Sequence, residues 1–233
     1  MLIKGLQKTT LIDYPGKIAC TVFLAKCNFR CPFCQNKGLV ENYDDLKTIY
    51  EEELLDFLHR REKYLEGVVF SGGEPTLYKD LPDLLEKIKK ETKLPIKLDT
   101  NGSNPEMLRE LIEKKLVDYV AMDIKSSQSK YCLAAGVNVD MEKINESVEL
   151  LKEGKVDYEF RTTVVPDFFT EEDAKEIAEW LRGAGLYALQ QFIPSEECID
   201  SDFSKKRPYP ASKLGEFRKI MEKSFGKCVI KNV

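Results

Sequence analysis

The sequence predicts an α/β fold in which parallel strands alternate with helices around one core, and three observations predict it. Short apolar, β-branched runs recur between segments of helical periodicity. Several of these runs are almost uninterruptedly apolar, the pattern of strands buried on both faces of a parallel sheet. The helical segments between them open on residues that cap helices.

The strands are expected at Ile18–Leu24, Gly67–Ser71, Pro95–Asp99, Val117–Ile124, Val156–Val165 and Leu186–Ile193. Between the first two, Thr48 and Glu51 have capping-box spacing ahead of Leu54, Leu55 and Leu58. Leu81, Leu84, Leu85 and Ile88 then lie on one helical face. Asn104 caps a helix that begins at Pro105 and buries Leu108, Leu111 and Ile112. Asp140 precedes Ile144, Val148 and Leu151, and Thr170 precedes an acidic first turn followed by Ala174, Ile177, Ala178 and Leu181. Strict alternation of strand and helix implies a parallel sheet with helical crossovers. Six strands are too few for a closed eight-stranded barrel, so an open partial barrel and a doubly wound sheet both satisfy the pattern. After the sixth strand Ser195–Arg207 is polar and unpatterned, and a last helix (Leu214, Phe217, Ile220, Met221) and a short strand around Val229 follow.

A chain of 233 residues is expected to form one domain, with the barrel over about 17–193 and an extension over 194–233. The net charge of −4 comes from intermixed acids and bases without a basic block, which argues against nucleic acid as a partner. No apolar run approaches the roughly 20 residues of a membrane span. Met1–Thr10 has no signal-peptide pattern, so a cytoplasmic location is expected. Seven cysteines in such a chain do not suggest a disulfide framework. Cys20, Cys132, Cys198 and Cys228 are scattered and are expected to be buried as apolar residues.

The other three, Cys27, Cys31 and Cys34, lie on one short loop directly after the first strand. Soft thiolates suit the iron of an iron–sulfur cube, and three of them leave one iron open. An open position separates a catalytic metal centre from a closed structural one. The alternative is a structural zinc site with a distant fourth ligand. Such sites usually use paired CxxC units or added histidines, and the single histidine, His59, falls in a predicted helix.

The segment Cys27-Asn-Phe-Arg-Cys31-Pro-Phe-Cys34, with an aromatic residue before the last cysteine, resembles the CxxxCxxC motif of the radical S-adenosylmethionine superfamily. With Leu11-Ile12-Asp13-Tyr14-Pro15-Gly16 ahead of it, the chain looks like the activating proteins of anaerobic ribonucleoside-triphosphate reductase, relatives of pyruvate formate-lyase activating enzyme. The resemblance implies a partial (β/α)6 TIM-like barrel and a [4Fe–4S] cluster on Cys27, Cys31 and Cys34. It implies reductive cleavage of S-adenosylmethionine to a 5′-deoxyadenosyl radical that installs a glycyl radical on a partner enzyme. A low-potential flavodoxin or ferredoxin would be the electron donor.

The remaining site residues follow by the same resemblance. Gly72, Gly73 and Glu74, after the second strand, match the segment that binds the cofactor's amino group. Asp99, Thr100 and Asp123 match ligands of a monovalent cation, with helix caps and one surface ion pair as the alternative. Asn101, Lys125 and Arg161 match residues around the cofactor, with a structural ion pair inside the barrel as the alternative for Arg161. Lys125 is a partner for its carboxylate. Phe33 and Gln35 are expected to contact the adenine, although Gln35 stands where these activators commonly have His. Asn36, retained from the family pattern, is expected to bind the cofactor. Glycines at strand ends allow a ligand to approach the backbone, and an Arg in an apolar strand requires a partner. Gln190, Gln191 and Phe192 on the sixth strand are expected to line the same cavity. The unpatterned Ser195–Arg207 segment, with Phe203, is expected either to dock the partner or to be a plain surface loop. Two rival readings share these residues: a radical enzyme acting on a small molecule, in the manner of a deazapurine synthase, and a non-enzymatic iron–sulfur protein.

Overall fold

The structure is a computed structural model and describes residues 1–232; Val233, the end of the expected extension, lies outside the described residues. Eight strands form one sheet in chain order: β1 (Ile3–Thr10), β2 (Ala19–Leu24), β3 (Gly67–Gly72), β4 (Ile96–Thr100), β5 (Tyr119–Asp123), β6 (Asp157–Val164), β7 (Leu186–Gln191) and β8 (Lys227–Lys231). The β1 strand is antiparallel to β2, and every later pairing is parallel. The six expected strands are β2–β7. Among the described residues nothing pairs β8 back to β1, so the sheet curls without closing.

The helices are α1 (Lys37–Val40), α2 (Glu51–Arg61), α3 (Leu81–Thr92), α4 (Pro105–Glu113), α5 (Tyr131–Ala135), α6 (Met141–Lys152), α7 (Glu171–Trp180) and α8 (Ala211–Met221). The expected caps at Asn104, Asp140 and Thr170 form: each side chain accepts a backbone N–H of the first turn. Helix α2 differs from its expected start. Ile49 bridges to Ile3 of β1, which draws Thr48 and Ile49 into extended chain. The helix therefore begins at Glu51, and Glu53 rather than Glu51 reaches back, to the Tyr50 N–H at 3.2 Å.

Strand β1 was not expected. Its residues are mostly half-buried or exposed, so they lack the apolar run that marks β2–β7. On the central strands one face packs under the helices through Leu98, Met122, Phe160 and Leu189, all fully buried. Each such side chain contributes about 1.5–3 kcal/mol of burial. The other face lines the barrel interior. There Asp99 lies beside Ala121, Asp123 beside Arg161, and Arg161 beside Ala188. At the N-terminal end of the strands a separate cluster of Tyr14, Ala19 and Val69, with Tyr119 packed on it, plugs the floor.

The segment 195–207 is largely exposed, with Cys198 and Phe203 its buried residues. It contains a short 3-10 turn at Ser201–Ser204, and Phe203 is only 5% exposed. Phe203 stacks on Phe168 and contacts Phe33, so it is committed to packing and does not suit transient docking. Of the four scattered cysteines, Cys20 and Cys198 are buried as expected, Cys228 is half-buried, and Cys132 is exposed. Among the described residues no helix is long and apolar enough to cross a membrane.

Candidate active site

Strand ends at the C-terminal side of the sheet surround a cavity of about 260 Å³. Every residue singled out in the sequence as a site candidate borders it, from Cys27, Cys31 and Cys34 through Gly72, Gly73 and Glu74 to Asp99, Asp123, Lys125 and Arg161.

The cysteine loop is held by backbone contacts from several elements. Lys26, just before the first cysteine, adopts a left-handed conformation (φ 64°). Its carbonyl then accepts the Glu74 N–H at 2.8 Å. Gly73 lies so close that a Cβ there would overlap the Lys26 carbonyl oxygen, so the cysteine loop and the Gly-Gly turn form one surface. From α5 the Ala135 carbonyl accepts the Arg30 N–H at 2.8 Å. From the segment after β7, the N–H groups of Ile199 and Asp200 donate to the carbonyls of Cys34 and Pro32, both at 3.0 Å. Asn36 donates to the Gly72 carbonyl at 2.9 Å, Gln35 to the Ile193 carbonyl at the rim, and Phe33 packs between Phe168 and Phe203.

Burial pushes the Cys27 thiol up to about 11 and the Cys31 thiol up to about 12, and it raises Cys34 as well. Metal loading must therefore displace protons from all three. Among the described residues no three His, Cys, Asp or Glu side chains converge as one metal ion requires. A tetrahedral zinc site needs that convergence. A cube does not, since each cysteine ligates a different iron. His59 pairs with Glu91 on the outside and offers no fourth ligand. The donor set fits a cube held at three corners.

Glu74 is 1% exposed, and its carboxylate accepts from Thr76 N–H and Oγ1 (3.1 and 2.6 Å), Thr100 Oγ1 (2.7 Å) and Asn101 N–H (2.7 Å). Burial raises its carboxyl against these bonds. The side chain thus works as a brace between the ends of β3 and β4. Asn101, placed by that brace, points its amide at Asn28 (2.9 Å) and Cys27 Sγ (3.9 Å).

Opposite the cysteines lies a charged wall. Asp99 and Asp123 are bridged by the Arg161 guanidinium, through Nη2 to Asp99 (3.2 Å) and Nε to Asp123. Lys97 pairs with Asp99 from below, and Lys125 with Asp123 at 3.0 Å. Burial acts to raise both carboxyls, but Arg161, Lys97 and Lys125 outweigh it and hold them below the usual carboxylate range. Asp123 in turn keeps Lys125 above the ordinary lysine value despite burial.

Sequence reasoning missed Lys97, Ser71, Thr163 and Asn232, which also belong to this region. Lys97 had a readable signal, since Lys97 and Asp99 are two apart in a strand and must share a face. Gln191 was expected at the cavity and lies there, with its amide N–H groups spent on the Phe192 and Tyr209 carbonyls. Its buried Oε1 has no hydrogen-bond partner among the described residues.

Comparison with known proteins agrees with this geometry. Residues 21–181 match the Radical SAM superfamily. A Methanocaldococcus jannaschii protein named as a glycyl-radical enzyme activating enzyme is 38% identical over 100% of this chain and 96% of its own length. A pyruvate formate-lyase-activating enzyme of Clostridium pasteurianum is 36% identical over 53% of this chain and 52% of its own. Streptococcus suis SuiB, crystallised with S-adenosylmethionine, shares the fold with a TM-score of 0.68 and 14% identity. The alignment with SuiB covers 91% of this chain and 52% of SuiB, so the chain spans about half of that structure. The superfamily uses a [4Fe–4S] cluster with S-adenosylmethionine, and the residues at the mouth fit both. The chain belongs to the radical S-adenosylmethionine superfamily, and within it to the glycyl-radical enzyme activating enzymes.

Proposed function

We propose that this enzyme acts in the cytoplasm and installs a glycyl radical on anaerobic ribonucleoside-triphosphate reductase, drawing electrons from a flavodoxin or ferredoxin. The observation that carries the reading is the shared cavity, in which the three cysteines face the Gly-Gly-Glu turn and the charged wall. When bound, cluster and cofactor supply the one-electron cleavage of a sulfonium, giving methionine and a 5′-deoxyadenosyl radical that takes a hydrogen from a glycine Cα.

The chain's own residues supply placement. Cys27, Cys31 and Cys34 would hold three irons and leave the fourth to the cofactor's amino and carboxylate groups. Asp99 and Asp123 face Lys97, Lys125 and Arg161, so the wall carries one positive charge in excess and attracts a carboxylate. Glu74 positions the Asn101 backbone, and Phe33 and Gln35, which border the cavity, would contact the adenine. The unclosed sheet leaves a lateral gap through which a glycine-bearing loop can reach the mouth.

The test mixes the anaerobically reconstituted protein, reduced flavodoxin and S-adenosylmethionine with the candidate reductase. The expected result is a glycyl-radical electron paramagnetic resonance doublet on the reductase that requires S-adenosylmethionine. Cofactor cleavage without that doublet, while another glycyl-radical enzyme acquires one, would assign a different partner.

A further inference from the structure

We infer that Arg161 and Lys97 are built-in cations that take the place of a monovalent metal ion on Asp99 and Asp123, so that the chain binds S-adenosylmethionine without one. The inference rests on the cofactor reading above and concerns how the same wall is neutralised.

Each carboxylate oxygen of the pair is already engaged. Asp99 Oδ1 receives Lys97, and its Oδ2 receives both Arg161 Nη2 at 3.2 Å and Ser71 Oγ at 3.1 Å. Asp123 Oδ1 receives Arg161 Nε, and Oδ2 receives Lys125 at 3.0 Å. The third oxygen expected to bind the ion is also committed. Thr100 Oγ1 donates to Glu74 at 2.7 Å and accepts the Gly102 N–H at 3.1 Å. A hard cation is held by several oxygen lone pairs at once, and here every one of these oxygens already carries at least one donor, so an ion would have to compete with charged side chains for the remaining ones.

Charge leads to the same conclusion. The wall holds two carboxylates and three cationic side chains; Glu74, behind Thr100, is met only by neutral donors, and Glu159 further in is neutralised by Lys231 at 2.6 Å. A metal ion entering between Asp99 and Asp123 would meet three cations already paired with them, whereas a carboxylate would be attracted to those cations. Lys97 is 1% exposed and comes from the strand that carries Asp99. Its position is set by the alternation of the strand and does not depend on a mobile surface side chain. The Arg161 guanidinium is planar and spans both carboxylates, which a spherical ion would do less specifically.

The experiment measures S-adenosylmethionine binding by calorimetry to the anaerobically reconstituted, unreduced holoprotein. Tetramethylammonium, sodium and potassium chlorides are compared at equal ionic strength. The expected dissociation constants agree within about twofold, because equal ionic strength leaves screening unchanged. A weakening of about tenfold or more in tetramethylammonium would overturn the inference, since a linked ion raises affinity by mass action. Binding in none of the salts by protein with an intact cluster would overturn the cofactor reading and the inference with it. The wild-type comparison requires no variant to fold. Arg161→Met should bind about tenfold more weakly in tetramethylammonium and recover in part with potassium or guanidinium. The nearly isosteric Lys97→Met should show a smaller loss and the same new ion dependence. Two variants that bind as wild type and ignore the salt would also overturn the assignment.

Discussion

The floor of the barrel around Tyr14 and its mouth around Cys27 are opposite ends of the same strands, and they are closed by different means. The floor is filled by side chains. Tyr14, 4% exposed, packs with Ala19, Val69 and Tyr119, and its ring lies where Gly67 leaves room, a Cβ at Gly67 falling 2.8 Å from Tyr14 Cδ1. The mouth is closed by backbone against backbone, at Gly73 on Lys26, Arg30 on Ala135, and Ile199 and Asp200 on the cysteine loop. Its side chains are left to line a cavity. Damage to the floor should therefore appear as lost stability, and damage to the mouth as lost ligand binding.

The largest effect expected from breaking this contrast is at the cysteines. Cys27→Ala, Cys31→Ala or Cys34→Ala should reduce iron from about four per chain to near zero and abolish the reduced-cluster resonance that shifts with S-adenosylmethionine. Cys132→Ala or Cys228→Ala should change neither. Retained iron in the Cys31 variant, measured after anaerobic reconstitution, would refute the three-corner cube. Next is Gly73→Ala. The added methyl meets a carbonyl that cannot rotate away, so a loss of about 3 kcal/mol by denaturant unfolding is expected, with cofactor binding lost even where the protein stays folded. The smallest is Tyr14→Leu, expected to lose about 1–2 kcal/mol while cofactor affinity in the folded protein is unchanged. Weakened binding in that variant would mean the two ends are coupled and the contrast is false.

The parts of the fold legible in the sequence are those where one physical demand dominated. Strands β2–β7 are buried on both faces or nearly so, and Asn104, Asp140 and Thr170 cap because their side chains suit helix starts. Strand β1 was not legible because it is an edge strand with a half-exposed face, and Lys4, Gln7 and Lys8 interrupt any apolar run. The start of α2 depended on a long-range bridge between Ile49 and Ile3 that local spacing does not encode. At the site, the cysteine spacing, and through the resemblance it carries the Gly-Gly-Glu turn, singled out residues that border one cavity. Lys97 was passed over because a lysine two residues from an aspartate looks like an exposed strand face until the sheet curls that face inward. Phe203 was misjudged for the converse reason, as polar neighbours concealed a ring that Phe168 and Phe33 cover.

The strap formed by Ile199 and Asp200 ties the cysteine loop to a part of the chain about 165 residues later, without belonging to the sheet ladder. Its two amide protons can therefore exchange with solvent when the mouth opens and the strands stay paired. In a hydrogen-exchange experiment they become an internal gauge of access to the cluster, read separately from the amides of Val69 or Leu98 in the sheet. Cofactor binding should slow the Ile199 and Asp200 amides and leave the strand amides unaltered. If all four slow together, the mouth has no motion of its own and opens only when the barrel does.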